Sequence, residues 1–315
     1  MKPNPRTRFT LPLAFLGALC LLGTHASFAA TLVPAKEVVT PAPAAFVPPP
    51  LFGDWINPEI NPIQDGTSKT KTTSVLPVVT SYGPFKIGEN ESPLPQDRVF
   101  ATYNYYSDVL GTDFHRETLG MEKTILGGDA SLGLRVPFSQ FRGDFAVDDL
   151  SLIYKHKLLH HGGLTLSGGL AVTIPVNPYQ PVQGGGDKYI PLLQPFAGYL
   201  WQRGDFFVQG FTSLGVPTDG VLPVMLFNDI GIGWNFQCGS GAIRAVVPTL
   251  EVHVNTPLTH RDAGDPERRR DSVDLTGGVH VQFGERTWLG LGVGTTVTDP
   301  RLFNVEALVS LNFRF

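Results

Sequence analysis

Cysteine is nearly missing from this chain: two in 315 residues, Cys20 and Cys238. Cys20 lies in an apolar stretch near the N-terminus, so loss of that stretch leaves Cys238 alone and no intrachain disulfide can form. Cys238 sits beside Gly239 and reads as a passive turn residue rather than a catalytic thiol. Charge is also sparse, at 17% of residues with a formal net charge of −4, which excludes the broad basic surface that nucleic-acid binding needs. Beyond residue 30 there is no apolar run approaching the roughly 20 residues of a membrane-spanning helix. If this chain crosses a membrane, strands must do it.

The first thirty residues have the layout of an export signal. Lys2, Arg6 and Arg8 precede an apolar run from Leu11 to Leu22, and Ser27-Phe28-Ala29 forms a small-x-small cleavage site. The expected signal peptide is 1–29. Leu19 stands before Cys20 where a lipoprotein signal places a small residue, so lipid attachment is not expected. From Thr31 to Pro50, proline, alanine and valine dominate, a composition that favours extended chain over packed elements. Turn signals such as Asn57-Pro58, Asp65-Gly66 and Tyr82-Gly83-Pro84 keep the chain irregular as far as Gln96. Residues 30–96 are therefore read as a Pro-rich irregular leader or a plug.

At Asp97 the texture changes to short segments of alternating polarity divided by turn residues. In Leu164–Ile174, Leu164, Leu166, Leu170, Val172 and Ile174 share one face, and Thr165, Ser167 and Thr173 share the other. Period two is what a strand imposes, because successive side chains leave the sheet on opposite sides. The same reading places strands near 98–108, 115–125, 129–137, 147–159, 164–174, 190–202, 206–215, 223–236, 242–255, 272–283, 287–297 and 303–315. The expected fold is all-β, a transmembrane antiparallel β-barrel of about twelve strands over 97–315. Short connections, such as His160-His161-Gly162-Gly163 and Gly284-Glu285-Arg286, alternate with longer ones at Pro175–Tyr189 and Thr256–Asp271, as periplasmic turns and outer loops do. Trp201, Trp234, Trp288, Phe206 and Phe313 fall near the short-turn ends and suggest one aromatic girdle.

In the last segment Phe303, Val305, Ala307, Val309, Leu311, Phe313 and Phe315 share a face, Asn304, Glu306, Ser310, Asn312 and Arg314 take the other, and Leu308 breaks the rule. Here the chain resembles the bacterial outer-membrane β-barrel superfamily, porin-like channels among them, whose members commonly end in such a strand with a terminal phenylalanine. The resemblance implies that Phe313 and Phe315 act as the assembly signal read by the barrel-assembly machinery, and that the protein sits among outer-membrane lipids after secretory export. A homo-oligomer is compatible with it.

If the apolar faces meet lipid, the opposite faces line the lumen. They supply Arg116, Glu122, Arg135, Lys155, Lys157, Asp229, Glu251, His253, Asp274, His280, Glu306 and Arg314, a mixture of signs that suits either a water-filled pore or internal salt bridges. Gly290, Gly292 and Gly294 on one face leave room for a ligand, a plug or strand curvature. Ser131, Ser151, Ser167 and Ser213 with His253 or His280 would be the raw material of a hydrolase, but no Gly-x-Ser-x-Gly elbow marks a nucleophile and none is assigned. His160-His161 is poorly arranged for one metal ion, because neighbours on a strand point apart. Arg268-Arg269-Arg270, among Asp265, Glu267 and Asp271, reads as a solvated loop. No catalytic residue, metal or cofactor is expected. The sequence points to a channel for small solutes, with a structural or adhesive barrel, or uptake of an apolar compound, as the alternatives.

Overall fold

Alternation is realised as fourteen strands among the described residues of the computed structural model. They are β1 Arg98–Val109, β2 Thr112–Ile125, β3 Ala130–Phe141, β4 Asp144–Val147, β5 Leu150–His161, β6 Leu164–Ile174, β7 Leu192–Arg203, β8 Phe206–Pro217, β9 Met225–Trp234, β10 Phe236–Gln237, β11 Ile243–Pro257, β12 Ser272–Phe283, β13 Thr287–Thr296 and β14 Glu306–Arg314. The structure describes residues 46–54, 86–109, 112–141, 144–176, 189–220, 222–239, 241–262, 270–299, 301 and 303–315. All of these belong to the unit Phe46–Phe315. The expected signal peptide and the residues 30–45 and 55–85 of the leader lie outside them, as do Arg268 and Arg269.

Each long strand pairs antiparallel with its sequence neighbours, and β14 returns to β1 in a register running from Arg98 opposite Arg314 to Tyr106 opposite Glu306. Twelve strands therefore close on themselves, with β4 and β10 as short additions against β3 and β11. Closure pairs every backbone edge, which a sheet surrounded by hydrocarbon requires because lipid cannot hydrogen-bond. The outward face is apolar and uncovered, with Leu119, Leu132, Leu152, Ile230, Leu250 and Leu291 all exposed. The inward face is polar and buried, with Arg116, Arg135, Ser151, Lys155 and Glu251 almost fully enclosed. This inversion of the soluble-protein pattern is the physical signature of a barrel that spans a membrane.

Twelve strands enclose more space than their own side chains fill, since about eight already suffice for a packed interior. The surplus is taken by the chain itself. Residues 46–54 and 86–97 lie in the lumen, hydrogen-bonded to each other by the Leu51 N–H to the Glu91 carbonyl (2.9 Å) and the Asn90 N–H to the Phe52 carbonyl (3.3 Å). Gly53 permits this approach. Its φ is +81°, and a Cβ there would stand 2.5 Å from the Glu89 Cα, so a larger residue would separate the two segments.

The strand boundaries fall within a few residues of those expected, with informative exceptions. β14 begins at Glu306 rather than 303, because Phe303 leaves the strand to pack edge-on against the inward-facing Tyr106, with ring centroids 5.1 Å apart. The connection between β1 and β2 is only residues 110–111, not a long outer loop; the register shift between Tyr106 and Val109 lengthens both strands. Trp288 is not in a girdle. It shares the inward parity of Gly290 and Gly292, is buried, and packs with Phe207, Val247, Phe46 and Leu94 inside the barrel. Trp201, Phe206 and Trp234 do form a row of touching rings, with both tryptophans exposed.

Candidate functional site: the occupied lumen

The site begins with the entry of the first inner segment. Arg314 on β14 donates to the carbonyls of Val47 (3.2 Å) and Pro48 (2.9 Å), while its guanidinium stacks over the Trp288 ring at 5.3 Å. Gln209 donates to the Pro49 carbonyl at 2.8 Å. Proline supplies no N–H, so Pro48 and Pro49 take these bonds on their carbonyls without leaving a buried donor unmatched. Phe52 then enters a slot lined by the small residues Gly278, Gly290 and Gly292, where any Cβ would meet its ring at 3.3 Å or less. His280 forms the floor, stacked on Phe52 with centroids 4.1 Å apart. The glycines on one face of β13 thus accommodate a side chain of the inner segment.

Two ionic clusters hold the segments deeper in the lumen. In the first, Lys86 contacts Asp54, Asp229 on β9 (2.6 Å) and the side-chain oxygen of Asn255 on β11 (2.8 Å), every charged member being fully buried. His253 places Nδ1 2.8 Å from the same Asp229 oxygen and Nε2 3.4 Å from Glu251. Glu251 accepts the backbone N–H groups of Phe52 (2.8 Å) and Gly53 (3.0 Å) on its two oxygens. Asp274 on β12 accepts from Asn255 at 3.1 Å and from the Thr296 hydroxyl.

In the second cluster, Glu91 contacts Arg98 (3.0 Å), Lys155 (2.6 Å) and Arg135, and Glu89 meets Arg116 on both oxygens at 2.9 and 3.1 Å. Glu122 bridges Arg98 (2.9 Å) and Lys155 (2.9 Å) from the wall itself, and Asp148 stands 3.5 Å from Arg116. Between the clusters, Leu51 and Ile87 of the inner segments rest on an apolar patch of Ile153, Ala171, Phe196 and Phe211.

Of the twelve residues read as lumen-lining, Arg116, Glu122, Arg135 and Lys155 join the Glu89 and Glu91 cluster, and Asp229, Glu251, His253 and Asp274 join the Lys86 cluster. Glu306 on β14 stands apart from these ion pairs, buried and accepting from Asn104 of β1 at 2.7 Å. His280 and Arg314 hold the first inner segment. Lys157 is different. The register slips between Lys157 and Leu159, so its ammonium reaches the rim and pairs with Asp129 at 2.7 Å, partly exposed. Phe313 and Phe315 are both exposed on the outer side. Ser131 donates to Glu122 at 2.7 Å, while Ser151, Ser167 and Ser213 are buried on the inner face.

The inner-segment members Asp54, Lys86, Glu89 and Glu91, with Arg98 and Asn255, were not among the sequence candidates. Their one signal was local: Lys86, Glu89 and Glu91 crowd into six residues of an otherwise weakly charged stretch. Asp54, Asp229 and His253 offer ligand atoms within 4.8 Å of one another, but the Lys86 ammonium already stands among them as the cation. A small cavity of about 20 Å³, enough for a water molecule, remains between the inner segments and β1 and β14, lined by Phe52, Glu89, Asn104 and Leu308 among others.

No family model and no curated protein matches the chain in sequence. Solved structures of bacterial outer-membrane barrels do resemble it in shape. An outer-membrane channel from Pseudomonas putida F1 aligns over 74% of this chain and all of its own, with 13% identity and a TM-score of 0.48. The β domain of the Bordetella autotransporter BrkA aligns over 70% of this chain and all of its own, with 14% identity and a TM-score of 0.47. The NanC porin aligns over 70% of this chain and 98% of its own, with 8% identity and a TM-score of 0.45. At these identities and scores the likeness decides nothing about substrate or activity; the closed twelve-strand barrel stands on its own strand pairing.

Proposed function

We propose that this protein is a porin-like channel of the bacterial outer membrane, held shut at rest by its own residues 46–54 and 86–97. The observation that carries the reading is the chemistry of the seal: the wall that faces it is polar and charged, and the deepest contacts are ion pairs. Burying paired charges costs desolvation that the pairing repays only in part, and apolar residues of similar volume make an equal or better permanent filling. A barrel closed for structural reasons alone has no need of such a lumen. A barrel that opens does, because the same wall must be wettable once the inner segments withdraw.

Export, residence among outer-membrane lipids and delivery by the barrel-assembly machinery through Phe313 and Phe315 belong to the same reading; the exposed apolar outer face supports it. The proposed role is passage of small solutes rather than catalysis. The test is conductance in planar bilayers. The native chain should be nearly silent, and the full-length double variant Lys86→Gln, Glu91→Gln should give discrete current steps. Silence of both proteins at all voltages, with the variant still folded as a barrel, would overturn the channel and favour a structural barrel.

A further inference from the structure

The charged residues of the wall are unevenly distributed, with an excess of one sign on each of two facing sides. Around the ring the order is β1, β2, β3, β5, β6, β7, β8, β9, β11, β12, β13, β14, so strands six steps apart face each other across the twelve. Arg116 on β2 is then opposite the strand of Asp229, Arg135 on β3 opposite that of Glu251, and Lys155 on β5 opposite that of Asp274. One quarter of the lumen wall carries cations in excess of Glu122 and the buried Asp148, and the facing quarter carries carboxylates in excess of His253. On β7 and β8, between them, lie Phe196 and Phe211.

The inner segment is built to match this sorting. Lys86 takes the acidic quarter, Glu89 and Glu91 take the basic quarter, and Ile87 rests on the apolar patch. Each end is outnumbered by the wall: Lys86 meets Asp229, with Glu251 and Asp274 nearby, besides Asp54 of the first inner segment, and Glu91 meets three cations. Asp229 Oδ2 is buried with no hydrogen-bond partner among the described residues, so the acidic quarter keeps an unspent acceptor even with Lys86 in place.

We infer that the segment Lys86–Glu91 stands in for the permeating solute, and that the solute class is a short zwitterion with an ammonium end, a carboxylate end and an apolar middle, such as a small peptide with apolar side chains. The inference rests on the channel reading for its transport aspect, but the binding preference follows from the wall alone. A solute with both ends charged gains at both quarters at once, whereas a simple cation or anion gains at one and is repelled at the other. Field between opposed charged walls also orients it, so it passes crosswise to the pore axis.

The test uses the full-length Lys86→Gln, Glu91→Gln protein and the tripeptide alanyl-leucyl-alanine in four forms: free at both ends, blocked at the amino end, blocked at the carboxyl end, and blocked at both. Binding is measured by calorimetry in detergent, and flux by uptake into liposomes. The free form should bind most tightly, with roughly fivefold lost for each end blocked. Adding Asp229→Asn and Glu251→Gln should erase the preference for a free amino end while keeping that for a free carboxylate, and Arg116→Gln with Arg135→Gln should do the reverse. Equal binding of all four forms, or ranking by net charge alone, overturns the inference even if current flows. Preferential binding without flux would instead leave the solute class standing and remove the channel. If the double variant fails to fold, the same series is run on Glu89→Gln, where one contact to the basic quarter is lost and the same ranking is expected.

Discussion

On β11 Leu250 points outward beside Ile232 of β9, while Glu251 and His253 point inward to Phe52, Gly53 and Asp229. The two faces of this one strand show what separates the two regions of the molecule. The outer face asks only for apolar bulk, and its partner is a solvent. The inner face asks for specific partners, and those belong to a segment about two hundred residues away in sequence, as the 199-residue separation of Phe52 and Glu251 illustrates. An error outside costs solvation locally. An error inside strands a charge that nothing else can reach.

That difference sets the largest expected effect. Glu91→Gln removes the carboxylate shared by Arg98, Arg135 and Lys155, leaving Glu122 to Arg98 and Lys155 and the Glu89 carbonyl to Arg135. Removing one partner of a buried pair costs roughly 3–5 kcal/mol. The loss should appear as faster amide exchange and easier proteolysis in residues 86–97, with the barrel strands still protected. Equal exchange in the native and variant proteins would show that the inner segments are held mainly by the Phe52 slot and the apolar patch.

The outer face predicts a smaller loss in a different place. Leu250 stands at the middle of Ile243–Pro257 with its side chain exposed on the apolar surface. Lysine there should cost about 2–4 kcal/mol, the range for a cation at the bilayer midplane, read as equilibrium unfolding in lipid. The inner segments should keep their native exchange rates. If Leu250→Lys instead loosens residues 86–97 while leaving barrel stability alone, the assignment of inside and outside on β11 is wrong.

The same contrast explains what could be read from the chain in advance. Period two over a lipid-facing wall is local, so the strand positions and many of the inward side chains are legible in the sequence alone, Arg98, Asn255 and Trp288 excepted. Trp288 lies next to a turn, which suggests a girdle, but its parity with Gly290 and Gly292 points it inward. Sorting of charge into facing quarters was hidden for another reason: it exists only once β2 and β9 are known to lie six strands apart. The glycines of β13 announced space but not Phe52 as its occupant, since nothing near Phe52 in sequence refers to residue 290.

The smallest effect lies at the seam, where neither face dominates. Asp97 precedes β1 and accepts from the Thr124 N–H (2.6 Å), the Thr124 hydroxyl (2.7 Å) and Lys123 (2.9 Å), while its carbonyl accepts the Phe315 N–H at 3.1 Å. The Thr124 backbone N–H, with help from Lys123, holds its carboxyl below the usual range. A carboxylate depressed in the folded state adds stability that is complete above its unfolded pKa and is lost as pH falls through the lower folded value. Acid should therefore loosen the hold of β2 on the start of β1, beside the β14 seam, in the window below about pH 4. Because the group is partly exposed and its Lys123 partner more so, the contribution is small and its Lys123 part weakens with salt. Asp97→Asn should remove that acid-side slope from unfolding curves while leaving the exchange of residues 86–97 unchanged. Identical slopes for the two proteins would mean that the backbone pairing from Arg98 to Tyr106 closes the barrel without help from this carboxylate.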